Sequence, residues 1–185
     1  MPQKFDRSKL REGYVVHCRA FNPFATAIRG VIGSYGNHDG MLIKKNGQWF
    51  VGEAINPRST VTPLEDYESS DTIVMIWRVR GWDDTDHKLA ADRFYATKLG
   101  IKYPKSVARL WIMRFVNSLP WVIPGQWCTR MVDDCLRYVK ADATDRPPDV
   151  ATPEGKRKKN VTPRTYENRL VAGVFEDVTQ DMLAK

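Results

Sequence analysis

Reactive side chains are scarce in this sequence: its 185 residues hold three cysteines and three histidines. Three thiols, an odd number, do not make a disulfide framework. No C-x-x-C spacing offers zinc its usual ligand pair, and no H-E-x-x-H stretch is present, so the residues suggest no metal site and no cofactor requirement. Long apolar runs are missing too. No stretch of 18 uninterrupted apolar residues occurs, which argues against a helical membrane span. The opening "MPQKFDRSKLREG" has no apolar segment of the secretory-signal kind, so the product is expected to be cytoplasmic as synthesised. Internal repeats and low-complexity tracts are absent as well. Acidic charge is in deficit, with 22 Asp and Glu against 29 Lys and Arg. The resulting net charge of +7 favours a polyanionic partner such as nucleic acid, an anionic cell wall or a phosphate-bearing surface.

What is present suffices for one globular domain over residues 1–185, since 42% of the chain is hydrophobic. "REGYVVHCRAF" alternates about Tyr14, Val16 and Cys18 as a strand does. "NPFATAIRGVIG" then reads as a helix with Asn22 as cap and Pro23 as first residue. "TIVMIWRVR", 72–80, is another strand. "DDTDHKLAADRFYATKLG" is a helix capped by Asp and stopped at Gly100, and "SVARLWIMRFVNSLP" an apolar helix ended by Pro120. A further helix begins near Trp127, where Cys128, Met131, Val132, Cys135, Leu136 and Val139 recur with helical spacing. Residues 141–161, rich in Pro and charge, predict a long surface loop. Beyond it Thr162 and Pro163 open a short helix that Gly173 stops, and "VFEDV" is a last strand. Early strands followed by late helices indicate an α+β fold, an antiparallel sheet packed with helices.

The stretch "GNHDGMLIKKNGQWFVGEA", 36–54, carries the chemistry. Asn46-Gly47 is the strongest short-range hairpin signal, and a two-residue turn there sets Gly40 opposite Glu53 and His38 opposite Ile55. With alternating faces, His38 and Glu53 become diagonal neighbours on one side, with Cα atoms ~7–8 Å apart and only Gly40 beside them. A register slip of one residue would separate them onto opposite faces. A histidine held by a carboxylate is the base half of a nucleophile–base–orienter set. Cys128 is the matching nucleophile: a thiol in a helix's first turn feels the positive end of the dipole, and a nearby imidazolium lowers its pKa further. The same helix start presents backbone N–H groups to an oxyanion.

Gly13 with "YVVHCRA", then "GNHDGM", "GQWFVGEA" and, roughly ninety residues after the histidine, "GQWCTRMVDDCL" together resemble the circularly permuted papain-like, NlpC-related hydrolases of the YiiX-like type. The resemblance spans about residues 10–140, and "TPRTYENRLVAGVFEDV" is similar to the family's closing segment. It implies a permuted papain-like fold with Cys128 as nucleophile, His38 as base and Glu53 as third polar residue. It also implies peptide amides of bacterial cell wall as substrate, with lipid amides or esters next. The Cys128 N–H is then the main oxyanion donor, Gln126 a side-chain candidate, and Trp127 and Arg130 flank the substrate. The chain departs from the family pattern in having Tyr14 after Gly13 and Thr129 and Arg130 after the cysteine; Arg130 puts a base where an acid is usual.

Blander readings stand beside these. Cys128 heads an apolar stripe and is alternatively a buried core thiol, as Cys18 and Cys135 are read to be. His17 and His87 read as non-catalytic. "GKRKK", 155–159, reads as solvated loop, with nucleic-acid binding ranked last. The rival from another class is a catalytically inactive papain-like scaffold, a structural or ejected phage particle protein that binds anionic polymer.

Overall fold

Two consecutive residues with left-handed backbone, Asn46 (φ 51°) and Gly47 (φ 79°), turn the chain back on itself and set the register of the sheet around them. In the computed structural model the described residues are 4–19, 26, 29–30, 33–55, 57–70, 72–102, 128–139 and 163–184. Strands β2 (His38–Lys45) and β3 (Gln48–Ala54) flank the turn, with Lys45 opposite Gln48 and Gly40 opposite Glu53. That is the pairing expected of a two-residue loop. On the other side of β2 lies β1 (Val15–Cys18), which sets Cys18 opposite His38 and His17 opposite Asp39. Strands β4 (Ser59–Pro63), β5 (Ile73–Val79) and β6 (Phe175–Asp177) complete a six-stranded sheet of order β4-β3-β2-β1-β5-β6, antiparallel throughout.

Helices cover both faces, so strand residues of either parity are buried. On one face, α2 (Asp84–Thr97) contributes Ala90, Ala91 and Phe94, and α3 (Cys128–Val139) contributes Met131, Val132, Cys135 and Leu136. They pack on Val15, Met41, Ile43 and Trp77, with Tyr166 of α4 (Pro163–Val171) alongside. The opposite face joins Val16, Cys18, Leu42, Val51 and Ile76 to Leu64 of α1 (Leu64–Ser70) and Met182 of α5 (Thr179–Met182). The local signals act as their chemistry requires: Asp83 caps α2 by accepting from the Asp86 N–H at 2.9 Å. Gly13 (φ 79°) sits where a Cβ would fall 1.8 Å from the His87 carbonyl oxygen, so no other residue fits.

The mixture of helices with an antiparallel sheet is α+β, as expected. Strand 72–80 is observed as Ile73–Val79, the cysteine helix as Cys128–Val139, and the tail as a helix from Pro163 and a strand at Phe175–Asp177. Of the helix read from Asn22, Thr26, Arg29 and Gly30 have helical backbone, and Gly33 (φ 63°) follows. The apolar helix ending at Pro120, the 141–161 loop with GKRKK, Gln126 and Trp127 lie outside the described residues. Among the described residues three elements had no counterpart in the sequence reading, β4, α1 and α5, and the first two supply groups to the site below. Among the described residues no helix is long and apolar enough to cross a membrane.

Candidate active site

His38 opens β2, where its strand projects past the end of the β2–β3 ladder, and its ring turns toward Glu53 on β3. The His38 Nε2 to Glu53 Oε2 distance is 2.7 Å. Glu53 is held from two further directions, because Thr62 Oγ1 on β4 donates to its Oε1 and Tyr67 Oη on α1 donates to its Oε2. The carboxylate is 3% exposed, so these donors replace the water it gives up. Burial by itself would raise its pKa; the hydrogen bonds, led by that of His38, outweigh this and lower it. Tyr67, buried against the same carboxylate, has its phenol pushed upward and stays a neutral donor.

Cys128 is the first residue of α3, and its packing on β2 and β3 brings the thiol to the head of the His38 strand. Burial disfavours the thiolate, but the His38 charge and a hydrogen bond from its ring prevail and lower the Cys128 pKa, helped by the Asp39 backbone N–H. The reciprocal effect holds for His38, whose burial disfavours the imidazolium while Cys128 and Glu53 raise its pKa well above the usual range. With Glu53 on Nε2, Nδ1 is the ring nitrogen left for the sulfur. Each member of the pair thus favours the charged form of the other, with a carboxylate fixing the ring.

Of the residues singled out from sequence, Cys128, His38 and Glu53 converge, while Arg130 is partly buried in the first turn of α3. The other two thiols are placed for packing: Cys18 is raised by burial beside Glu53, and Cys135 is pushed up by burial to about 12. His87 lies between Tyr14 and Trp82 in the core. Sequence reasoning passed over Thr62 and Tyr67, which reach Glu53 from β4 and α1. It also passed over a buried group behind the site, in which His17 Nδ1 lies 2.7 Å from Asp39 Oδ1 and Thr129 Oγ1 donates to Asp39 Oδ2 at 2.5 Å. The alternating "YVVHC" pattern marked a strand and left His17 as non-catalytic; nothing local named its partner.

No protein-family profile and no curated protein matches this sequence. Among solved structures, this fold is similar to that of the metalloprotein YiiX from Escherichia coli O157:H7, at a TM-score of 0.62 and 18% identity. The match covers 91% of this chain and 96% of the other. At that identity the likeness is one of fold.

Proposed function

We propose that this chain is a cysteine hydrolase of permuted papain-like, NlpC-related architecture, acting on peptide amides of the bacterial cell wall through a thioester. The observation that carries the reading is the Cys128 thiol at a helix start, beside a histidine whose far nitrogen is bound by Glu53. The Cys128 thiolate attacks the carbonyl carbon of an amide or ester. As the carbon–sulfur bond forms, the carbonyl electron pair moves to oxygen, which the Cys128 backbone N–H receives. The tetrahedral centre collapses, His38 passes its proton to the departing amine or alcohol, and a thioester remains. Water then attacks the thioester while His38 takes its proton, and the carboxylic acid leaves with Cys128 restored as thiolate.

The structural neighbour is described as a metalloprotein. Among the described residues no three His, Cys, Asp or Glu side chains are grouped to hold a metal ion, and both Glu53 oxygens already accept hydrogen bonds.

The net charge of +7 favours the rival reading, a scaffold of the same fold that binds anionic polymer. Limiting iodoacetamide near pH 6, with the adduct mapped by mass spectrometry, separates the two when paired with hydrolysis assays on peptidoglycan fragments, lipid amides and esters. The enzyme reading expects Cys128 to label before Cys18 and Cys135, and Cys128→Ala to lose roughly a millionfold in turnover, as removal of a nucleophile does. Full activity in Cys128→Ala would place the nucleophile elsewhere. A parent that cleaves none of these substrates yet binds polyanions tightly would be the scaffold.

A further inference from the structure

We propose that a second hydrogen-bonded chain, Glu167–His17–Asp39–Thr129, positions both halves of the Cys128–His38 pair from behind, an inference that rests on the hydrolase reading above. Its members come from α4, β1, β2 and α3. His17 is fully buried, with Nδ1 2.7 Å from Asp39 Oδ1 and Nε2 3.2 Å from Glu167 Oε1. Its ring stacks on Trp77, with centroids 4.5 Å apart. The other Asp39 oxygen accepts from Thr129 Oγ1. At the far end, Glu167 Oε1 also accepts from Ser34 Oγ at 2.6 Å, Tyr35 N at 2.7 Å and Gly36 N at 3.2 Å. A Cβ at Gly36 would fall 2.2 Å from His17 Nε2, so this loop closes directly over the ring.

The placement gives the chain its purpose. Asp39 follows His38 in sequence and Thr129 follows Cys128, so the Thr129–Asp39 bond ties the start of α3 to the strand bearing the base. Glu167, through residues 34–36, holds the segment that leads into His38. Removing ions from water is costly, and apolar side chains of equal volume serve a core at least as well. A buried imidazolium between two carboxylates is therefore explained better by what it holds in place than by stability. Electrostatics points the same way. The Asp39 charge opposes the Cys128 thiolate while its backbone N–H supports it. The His17 imidazolium and Thr129 hydroxyl offset that charge and leave the N–H contribution intact. The groups facing Cys128 are His38 and Asp39 from β2, Cys18 from β1 and Tyr67 from α1; those facing His17 are Asp39 and Glu167.

The test is the pH dependence of Cys128 alkylation by iodoacetamide in the full chain, measured beside thermal unfolding. Thr129→Val, which removes the hydroxyl and keeps the shape, should raise the midpoint of labelling by about one pH unit and slow labelling at pH 6 by roughly tenfold. Thr129→Ser, which restores the donor, should label as the parent does. Glu167→Gln, at the partly buried far end of the chain, carries the same test if Thr129→Val fails to fold, labelling slowed beyond what the fall in unfolding temperature accounts for being the supporting result. Parent-like labelling in Thr129→Val, a loss in Thr129→Ser as large as in Thr129→Val, or slowing that only tracks lost stability would overturn the positioning role. A parent whose Cys128 labels no faster than Cys18 and Cys135 overturns the hydrolase reading and this inference with it, a result distinct from the other three.

Discussion

Glu53 accepts from His38, Thr62 and Tyr67, and its charge is the part a substitution can remove while leaving its size. Glu53→Gln takes away the carboxylate that raises the His38 pKa, so the imidazolium becomes weaker and the Cys128 thiolate appears at higher pH. Turnover should fall by roughly 10²- to 10⁴-fold, the contribution of general acid–base catalysis whose upper end is the loss seen when the orienting acid of a triad is neutralised, and the midpoint of Cys128 alkylation should move upward. A midpoint unchanged in Glu53→Gln would mean that Glu53 does not govern the ring. The three residues of the proposed dyad and its orienter were readable because each had a local reason: a glycine beside the histidine, a turn that sets register, a helix start. Thr62 and Tyr67 had none. Their segment, "TVTPLEDYESS", passes from strand to helix at Pro63 with no periodic run long enough to declare either.

Elements explain why the geometry holds. The β2–β3 register depends on the turn, and Gly47 has φ 79°, where a β-branched side chain is strained by about 1–2 kcal/mol. Gly47→Val should lower stability by that amount in urea unfolding with an unchanged m-value. Both faces of the hairpin are buried, and a one-residue slip would exchange them. Cys128 labelling in the folded variant should therefore keep the parent rate, and a slowed rate would show that the turn alone sets the register. The hairpin was legible because Asn-Gly acts within four residues. The link of His17 to Asp39 was not, since it depends on β1 lying beside β2, and the periodicity of neither strand names its neighbour in the sheet.

For the molecule as a whole, charge and pH enter together. Burial disfavours a charged His17, but the Asp39 hydrogen bond and then Glu167 overcome it and raise its pKa from 6.5 to about 9. A raised folded-state pKa means stabilisation complete below about 6.5 and lost as pH rises through about 9. The thermal midpoint should carry a downward slope across that window, and His17→Gln should lose that component. Equal slopes in the two proteins would show that His17 is neutral in the fold. Glu167 acts at the acid end: burial is outweighed by His17, Ser34 and Gly36, its pKa falls from 4.5 to about 2, and its contribution disappears as pH drops through that range. The surplus of positive charge predicts a separate behaviour. Neutralising Lys156, Arg157, Lys158 and Lys159 should weaken polyanion binding and its salt dependence while leaving turnover of a small soluble amide intact. A matching loss of turnover would mean that the segment belongs to the site.

The strand order also sets a timetable. His38 and Glu53 meet across 15 residues, whereas Thr129 meets Asp39 across 90, so the proposed base and its orienter belong to a short-range unit and the thiol to a late, long-range one. Ribosomes add about 5–20 residues per second, so several seconds separate emergence of the hairpin from that of Cys128. Loop-closure entropy adds further delay before the helix docks. On the proposed function, the nascent chain thus carries an ordinary, unactivated thiol, and the reactive one comes into being only with the last contacts. In refolding experiments, fast alkylation of Cys128 should rise with the slowest phase of tertiary assembly and not with the earlier formation of the sheet.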